Sequence, residues 1–248
     1  MDTIMVGTVG TEAIAAVGLC TQPKFIALAI FISTNVAVSA IVARRKGQGD
    51  RESANAVMRQ AIVVTLVLVA VISTLTVVFA PQILALAGSN ADTHNDAVVY
   101  YRIIMGGMVF NVISLVINAA QRGVGNTKIA MRTNMVSNAV NICFNYLLIG
   151  GHFGFPRLEV AGAAIATVLG TVFAMVMSIA SVMRPEGYLH LSFKNFFRFE
   201  RQTLTSLWNV ASGTLAEQLF ARVGFLAFAV VVANLGTIPF AAHQIGMN

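Results

Sequence analysis

The sequence predicts an all-α polytopic membrane protein, and three observations carry that prediction. Of 248 residues, 57% are apolar and 10% are charged, against about 25% charged in soluble domains. The mean hydropathy is +0.78. Uncharged runs long enough to cross a bilayer, about 20 residues each, recur along the chain and are separated by loops of alternating charge. So sparse a charged coat excludes an ordinary soluble enzyme, a disordered regulator and a secreted disulfide scaffold.

The elements follow in order. The tail 1–7 is too short to span and reads as the end of a helix. The uncharged run Phe25–Ala43 supplies most of a span over 13–42, where Pro23 predicts a kink. The run Gln60–Ala91 is too long for one helix. Pro81 and Gly88-Ser89-Asn90 interrupt it, so a span over 54–79 is followed by a short surface helix. Further spans fall at 97–121, 129–150, 161–183 and 204–234, and a last helix opens near 238.

Charge sets the orientation. The net charge is +6, from 16 basic and 10 acidic residues. Twelve of the basic residues fall in one set of loops: Arg44, Arg45, Lys46, Arg51 and Arg59; Arg122, Lys128 and Arg132; and Arg184, Lys194, Arg198 and Arg201. The opposite loops hold only Arg157, with Arg102 just inside the next helix. The basic set is expected on the cytoplasmic side, and this bias accounts for the net charge without a nucleic-acid partner.

Other motifs read as structural. Cys20 and Cys143 have no metal or CxxC spacing and are expected as small core residues. Gly47, Gly49, Gly123 and Gly125 lack the P-loop lysine spacing and read as tight turns. Tyr188–Gln202 mixes leucines and phenylalanines with Lys194, Arg198 and Arg201, which suits an interfacial helix linking two halves. No HExxH, intramembrane Ser-His-Asp or Ser-Lys signature is present, so no enzyme is read here.

Gly10-Thr11 followed by Ala15-Ala16 recurs 226 residues later as Gly236-Thr237 followed by Ala241-Ala242. Both copies open a helix after an apolar stretch. An internal repeat of one six-helix unit explains the match. It sets the domains as 1–183, a first lobe; 184–203, a cytoplasmic linker; and 204–248, the start of a second lobe. By this register about twenty residues of the first helix would precede Met1, and about five helices would follow Asn248.

Polar groups inside spans need a reason, since an ionisable one costs at least about 2.5 kcal/mol. At 1.5 Å per residue, Asp2 lies roughly 12 Å from the outer end of its helix, Asn141 and Asn145 roughly 14 and 8 Å, and Thr167 roughly 9 Å. Asn141 and Asn145 are four apart and share a face. One carboxylate, two amides and a hydroxyl thus fall in one layer of the outer half. These hard oxygens suit Na⁺ or a protonated carboxyl; amides and hydroxyls also serve simply to bond helices together. Lys24, roughly 21 Å deep, leans outward and can reach toward Asp2 or stand in a wet cavity. Glu217, Gln218 and Arg222 are further candidates for cargo or coupling roles, with Gln218 and Arg222 on one face. His243, which opens the last helix, is a further candidate for a proton-linked coupling role beside a purely structural one.

The stretches Asp2-Thr3-Ile4-Met5-Val6-Gly7, Gly47-Gln48-Gly49-Asp50, Arg122-Gly123-Val124-Gly125-Asn126-Thr127-Lys128, Asn145-Tyr146-Leu147-Leu148-Ile149-Gly150, Gly162-Ala163-Ala164-Ile165-Ala166-Thr167 and Ala241-Ala242-His243-Gln244-Ile245 together resemble the multidrug and toxic compound extrusion family of cation-coupled exporters. The resemblance covers the whole chain in order. It implies twelve helices in two six-helix lobes, of which this chain supplies the first lobe and the start of the second. It implies export of small organic cations across the cytoplasmic membrane in exchange for H⁺ or Na⁺, by a monomer in the bilayer that needs no other cofactor. It also implies a cation site at Asp2, Asn141, Asn145 and Thr167. Some members carry Asp where this chain has Asn145. The alternatives are an exporter of the same fold moving a lipid-linked or polysaccharide cargo, and an inert fragment or membrane scaffold.

Overall fold

The computed structural model describes residues 6, 10–89, 91–151, 156–184, 187–191 and 200–234. Its helices are α1 (Thr11–Gly47), α2 (Arg51–Val78), α3 (Ala80–Leu86), α4 (Ala91–Gly106), α5 (Met108–Gly123), α6 (Thr127–Gly150), α7 (Glu159–Met183) and α8 (Arg201–Asn234). α1, α2 and α7 are each long and apolar enough to cross a membrane, and α4 with α5 does so as a bent pair. α6 and α8 have 24 and 34 residues, or roughly 36 and 51 Å, enough to span. The asparagines at 134, 138, 141 and 145 lower the apolar content of α6.

The tight turns form where the glycines predict them. Gly49 and Gly125 take left-handed backbone angles, φ 73 and φ 80, which glycine alone adopts freely. Gly47 and Gly123 instead end α1 and α5. A side chain at Gly123 would lie 2.7 Å from the carbonyl oxygen of Ser39, so this glycine lets α5 press against α1. Asp50 caps α2 by accepting the Ser53 amide hydrogen at 2.9 Å. Hydrogen bonding to the Ser53 side chain first, and then to its backbone amide, lowers the Asp50 carboxyl from its ordinary value. The short surface helix after Phe79 is α3.

One predicted span is corrected. The stretch 97–121 is not a single straight helix but bends by 45° between α4 and α5. The break falls at Gly107, where a side chain would stand 2.5 Å from a methyl of Val168; glycine allows α4 and α5 to close on α7. α1, by contrast, runs as one helix through Pro23. Cys20 is buried and its thiol donates to the Ala97 carbonyl at 3.3 Å. Cys143 departs from the expected core position and is exposed, because it sits on the face of α6 turned away from α7.

Two apolar cores stack along the lobe. One joins Val6, Val17, Phe31, Tyr100, Tyr101, Met105, Ile149 and Val160. The other joins Val38, Val42, Val57, Met58, Ile117, Val182 and Leu189. Outside them, Val67, Val71, Leu75 and Val78 stay uncovered on α2. Their spacing of three and four residues makes one apolar stripe, the surface a bilayer covers.

At the predicted cytoplasmic end, Tyr188–Leu191 is a docked irregular segment and not the start of the expected interfacial helix. Arg51 donates to the carbonyl oxygens of Tyr188 at 2.9 Å and Gly187 at 2.6 Å. The His190 amide donates to Asn55 Oδ1 at 2.7 Å, and the Leu191 amide to the Val182 carbonyl at 2.9 Å. Leu189 and Leu191 are buried, and the Lys46 ammonium and Arg51 guanidinium lie over the Tyr188 ring. Residues 192–199, which hold most of the proposed amphipathic helix, lie outside the described residues.

Candidate functional site

The site is built on the contact of α6 with α7. Gly162, Ala166 and Gly170 recur every four residues and form one small-residue stripe on α7. A side chain at Gly162 would meet the Leu148 carbonyl oxygen at 2.7 Å, and one at Gly170 the Ser137 carbonyl oxygen at 2.8 Å. Small residues at this spacing let two membrane helices approach backbone to backbone.

That close approach joins the polar layer. Asn145 Nδ2 donates to Asn141 Oδ1 at 3.2 Å, and Asn141 Nδ2 donates to Thr167 Oγ1 at 3.0 Å. Asn145 is completely buried; Asn141 and Thr167 are partly open. Asn141 lies nine residues from the Gly150 end of α6 and Thr167 eight from the Glu159 end of α7, roughly 14 and 12 Å in depth. Three residues of the four in the sequence-derived layer, Asn145, Asn141 and Thr167, are therefore one connected chain of amides and a hydroxyl. Its oxygens suit a hard monovalent cation or a protonated carboxyl.

Asp2 and His243 lie outside the described residues, as does the side chain of Arg222. Val6, four residues after Asp2, is buried in the core that also contains Ile149 and Val160, at the outer ends of α6 and α7. Lys24 comes to the layer from another side. It lines a cavity of about 100 Å³ with Asn111, Thr167 and Thr171, so Thr167 faces both Asn141 and the Lys24 cavity. Glu217 is exposed on α8 and Gln218 partly so, and no described contact joins either to the layer.

Sequence reading missed Asn134 and Asn138. With Asn141 and Asn145 they make a face of amides at spacings of four, three and four. Asn134 and Asn138 are exposed, which acyl chains would penalise; this face therefore turns to water or protein. The spacing itself was the available signal. A second polar cluster, Ser114, Asn118 and Ser178, is fully internal with bonds of 3.0–3.3 Å and ties α5 to α7. Among the described residues the one ion pair is Arg157–Glu159, at 3.3 Å on the surface.

Apolar spans, a lipid-facing stripe and a polar chain buried across a helix contact define a multi-pass helical membrane protein. The chain belongs to the MatE family, whose model matches residues 1–147. It is 26% identical over its full length to a probable multidrug resistance protein NorM of Thermotoga maritima, covering 53% of that protein. It is 30% identical to a probable NorM of Rhizobium meliloti, again with the whole chain matched to 53% of the relative. A solved structure of a MATE protein in the bent conformation superposes with a TM-score of 0.89 at 25% identity, over 98% of this chain and 54% of that one. The chain thus spans about half the length of the relatives it matches.

Proposed function

We propose that this chain is the first half of an antiporter that exports organic cations across the cytoplasmic membrane in exchange for H⁺ or Na⁺. The observation that carries the reading is the Asn145–Asn141–Thr167 chain, with bonds of 3.2 and 3.0 Å at one depth of the outer half. The similarity to NorM proteins supports drug export. The resemblance supplies Asp2 as the carboxylate of the site, and Val6, four residues on, is buried in the core that includes Ile149 and Val160. Glu217, Gln218, Arg222 and His243 then belong to the half of the pathway contributed by the second lobe.

The residues perform the exchange as follows. The Asp2 carboxylate takes up a proton or Na⁺ while Asn141 Oδ1 and Thr167 Oγ1 supply neutral oxygens. Release of the coupling ion leaves a negative charge that binds a cationic cargo. Uphill movement requires that ion and cargo bind differently in the two states, and one carboxylate shared between them achieves this by competition. The water-facing amides Asn134 and Asn138 give the ion a polar surface to follow.

The test is efflux of a fluorescent organic cation from energised vesicles holding the full-length protein. Asp2→Asn is nearly isosteric and removes a costly charge, so expression stays normal while cation-driven efflux is abolished. Wild-type efflux by Asp2→Asn at matched protein level refutes the site and moves the role to Glu217.

A further inference from the structure

We propose that the cavity at the α4–α5 break is an anion subsite, in which Lys24 receives a carboxylate or an anionic group of similar size carried by the cargo. This rests on the export reading above and adds a second charge to the cargo: a molecule bearing both a cation and an anion.

Four observations converge. Lys24 lies 13 residues inside α1, roughly 20 Å deep, where an ammonium is rare and costly without a counter-charge. Among the described residues no carboxylate stands within ion-pair distance of it, since the one such pair is Arg157–Glu159. Its recorded neighbour is the Phe25 ring, 5.8 Å away, a weaker partner than an anion.

The cavity has the size and lining for that anion. Its volume is about 100 Å³, room for a carboxylate with one or two waters at roughly 30 Å³ each. Its polar lining is Lys24, Asn111, Thr167 and Thr171. These are one cation and three neutral groups with no acidic side chain among them; the Asn111 amide is a donor, while the Thr171 hydroxyl already donates to the Val168 carbonyl at 2.7 Å.

The break in the span shapes the cavity, with Gly107 and Met108 lining it. The Thr167 hydroxyl joins the two sites: it accepts from Asn141 at 3.0 Å and lines the cavity. An anion here sits one side chain away from the proposed cation layer, a spacing matched to a small zwitterion.

The experiment compares one rhodamine dye as its cationic methyl ester and as its free carboxylate, which differ in that single charge. Binding of each to the purified full-length protein is measured by fluorescence anisotropy at constant ionic strength. In the wild type the acid binds more tightly than the ester. Lys24→Gln weakens the acid about tenfold or more and leaves the ester unchanged or tighter, Lys24→Arg keeps the preference, and Asn111→Leu reduces it several-fold. Unchanged ester binding reports that each variant is folded. Equal response of acid and ester to Lys24→Gln overturns the proposal. So does a wild type without preference in which Asp2→Asn creates one, since Asp2 would then fill the cavity. Acid-selective binding without energised efflux of either dye refutes the export reading and leaves the subsite standing.

Discussion

The Asn141 amide on α6 donates to the Thr167 hydroxyl on α7 at 3.0 Å, across a contact where Gly162 and Gly170 bring the two backbones together. Asn145, one turn nearer the Gly150 end of α6, extends the chain. Position and bonding are thus coupled: the polar layer holds its geometry only while the small-residue stripe keeps α6 and α7 close.

Gly162→Ala tests that coupling. The added methyl group would lie 2.7 Å from a backbone oxygen of Leu148, which no rotamer change relieves. The helices must separate, at a cost of about 1–3 kcal/mol. Thermal unfolding in detergent is expected to show a lower midpoint. Gly18→Ala is the control, since nothing lies within 4 Å of its added atom. It is expected to hold or raise the midpoint, because alanine favours a helix by up to about 1 kcal/mol over glycine.

Within the layer, neutral ligands matter less than the carboxylate. Asn145→Ala removes one amide and is expected to reduce cation-driven efflux several-fold, while Asp2→Asn abolishes it. Asn141→Leu removes both bonds of the chain and falls between them. Initial efflux rates at matched protein level rank the three variants. Equal loss in all of them would mean that the layer serves only to hold the helices.

Orientation is tested by labelling. Gln48, in the α1–α2 turn, and Asn95, on α4, are both exposed and lie at opposite ends of the lobe. In a background without Cys20 and Cys143, a cysteine at Gln48 is expected to react with an impermeant maleimide only after cell lysis. One at Asn95 is expected to react in intact cells. The reverse pattern would falsify the assignment of the basic loops to the cytoplasm.

The Asp50 cap makes a pH prediction outside the bilayer. Bonding to Ser53 lowers the carboxyl from its ordinary value of 3.8. A depressed folded value means stabilisation that is fully present above 3.8 and fades as the pH falls through the folded value. Asp50→Asn, which also caps well, is expected to match wild type at pH 7 and to lose less below pH 4. Asp50→Ala is expected to unfold earlier at both. Midpoints of thermal unfolding across the acid range read the difference.

Much of this architecture was legible beforehand, for identifiable reasons. Hydrophobic run length fixes where a span can lie, so the reading 129–150 meets α6 at Thr127–Gly150 and 161–183 meets α7 at Glu159–Met183. Depth follows from counting residues, which brought Asn141, Asn145 and Thr167 to one level. Packing does not follow from counting. The bend at Gly107 depends on Val168 of α7, and nothing in the uncharged run Ile103–Gln121 marks it except the Gly106-Gly107 pair. The docking of Tyr188 depends on Arg51, 137 residues earlier. The Lys24 cavity depends on groups from four helices, and its depth alone left its partner open.

Arg51 grips the Gly187 and Tyr188 carbonyls, and Leu189 and Leu191 are sunk in the core beneath. The stretch after α7 is therefore a mooring as well as a connector. From Leu191 to Arg201 the chain can pay out at most roughly 35 Å, even fully extended. Whatever follows α8 is tied by a short leash made fast at the α1–α2 turn. Relative travel is thereby restrained most at this end of the helices and least at the other.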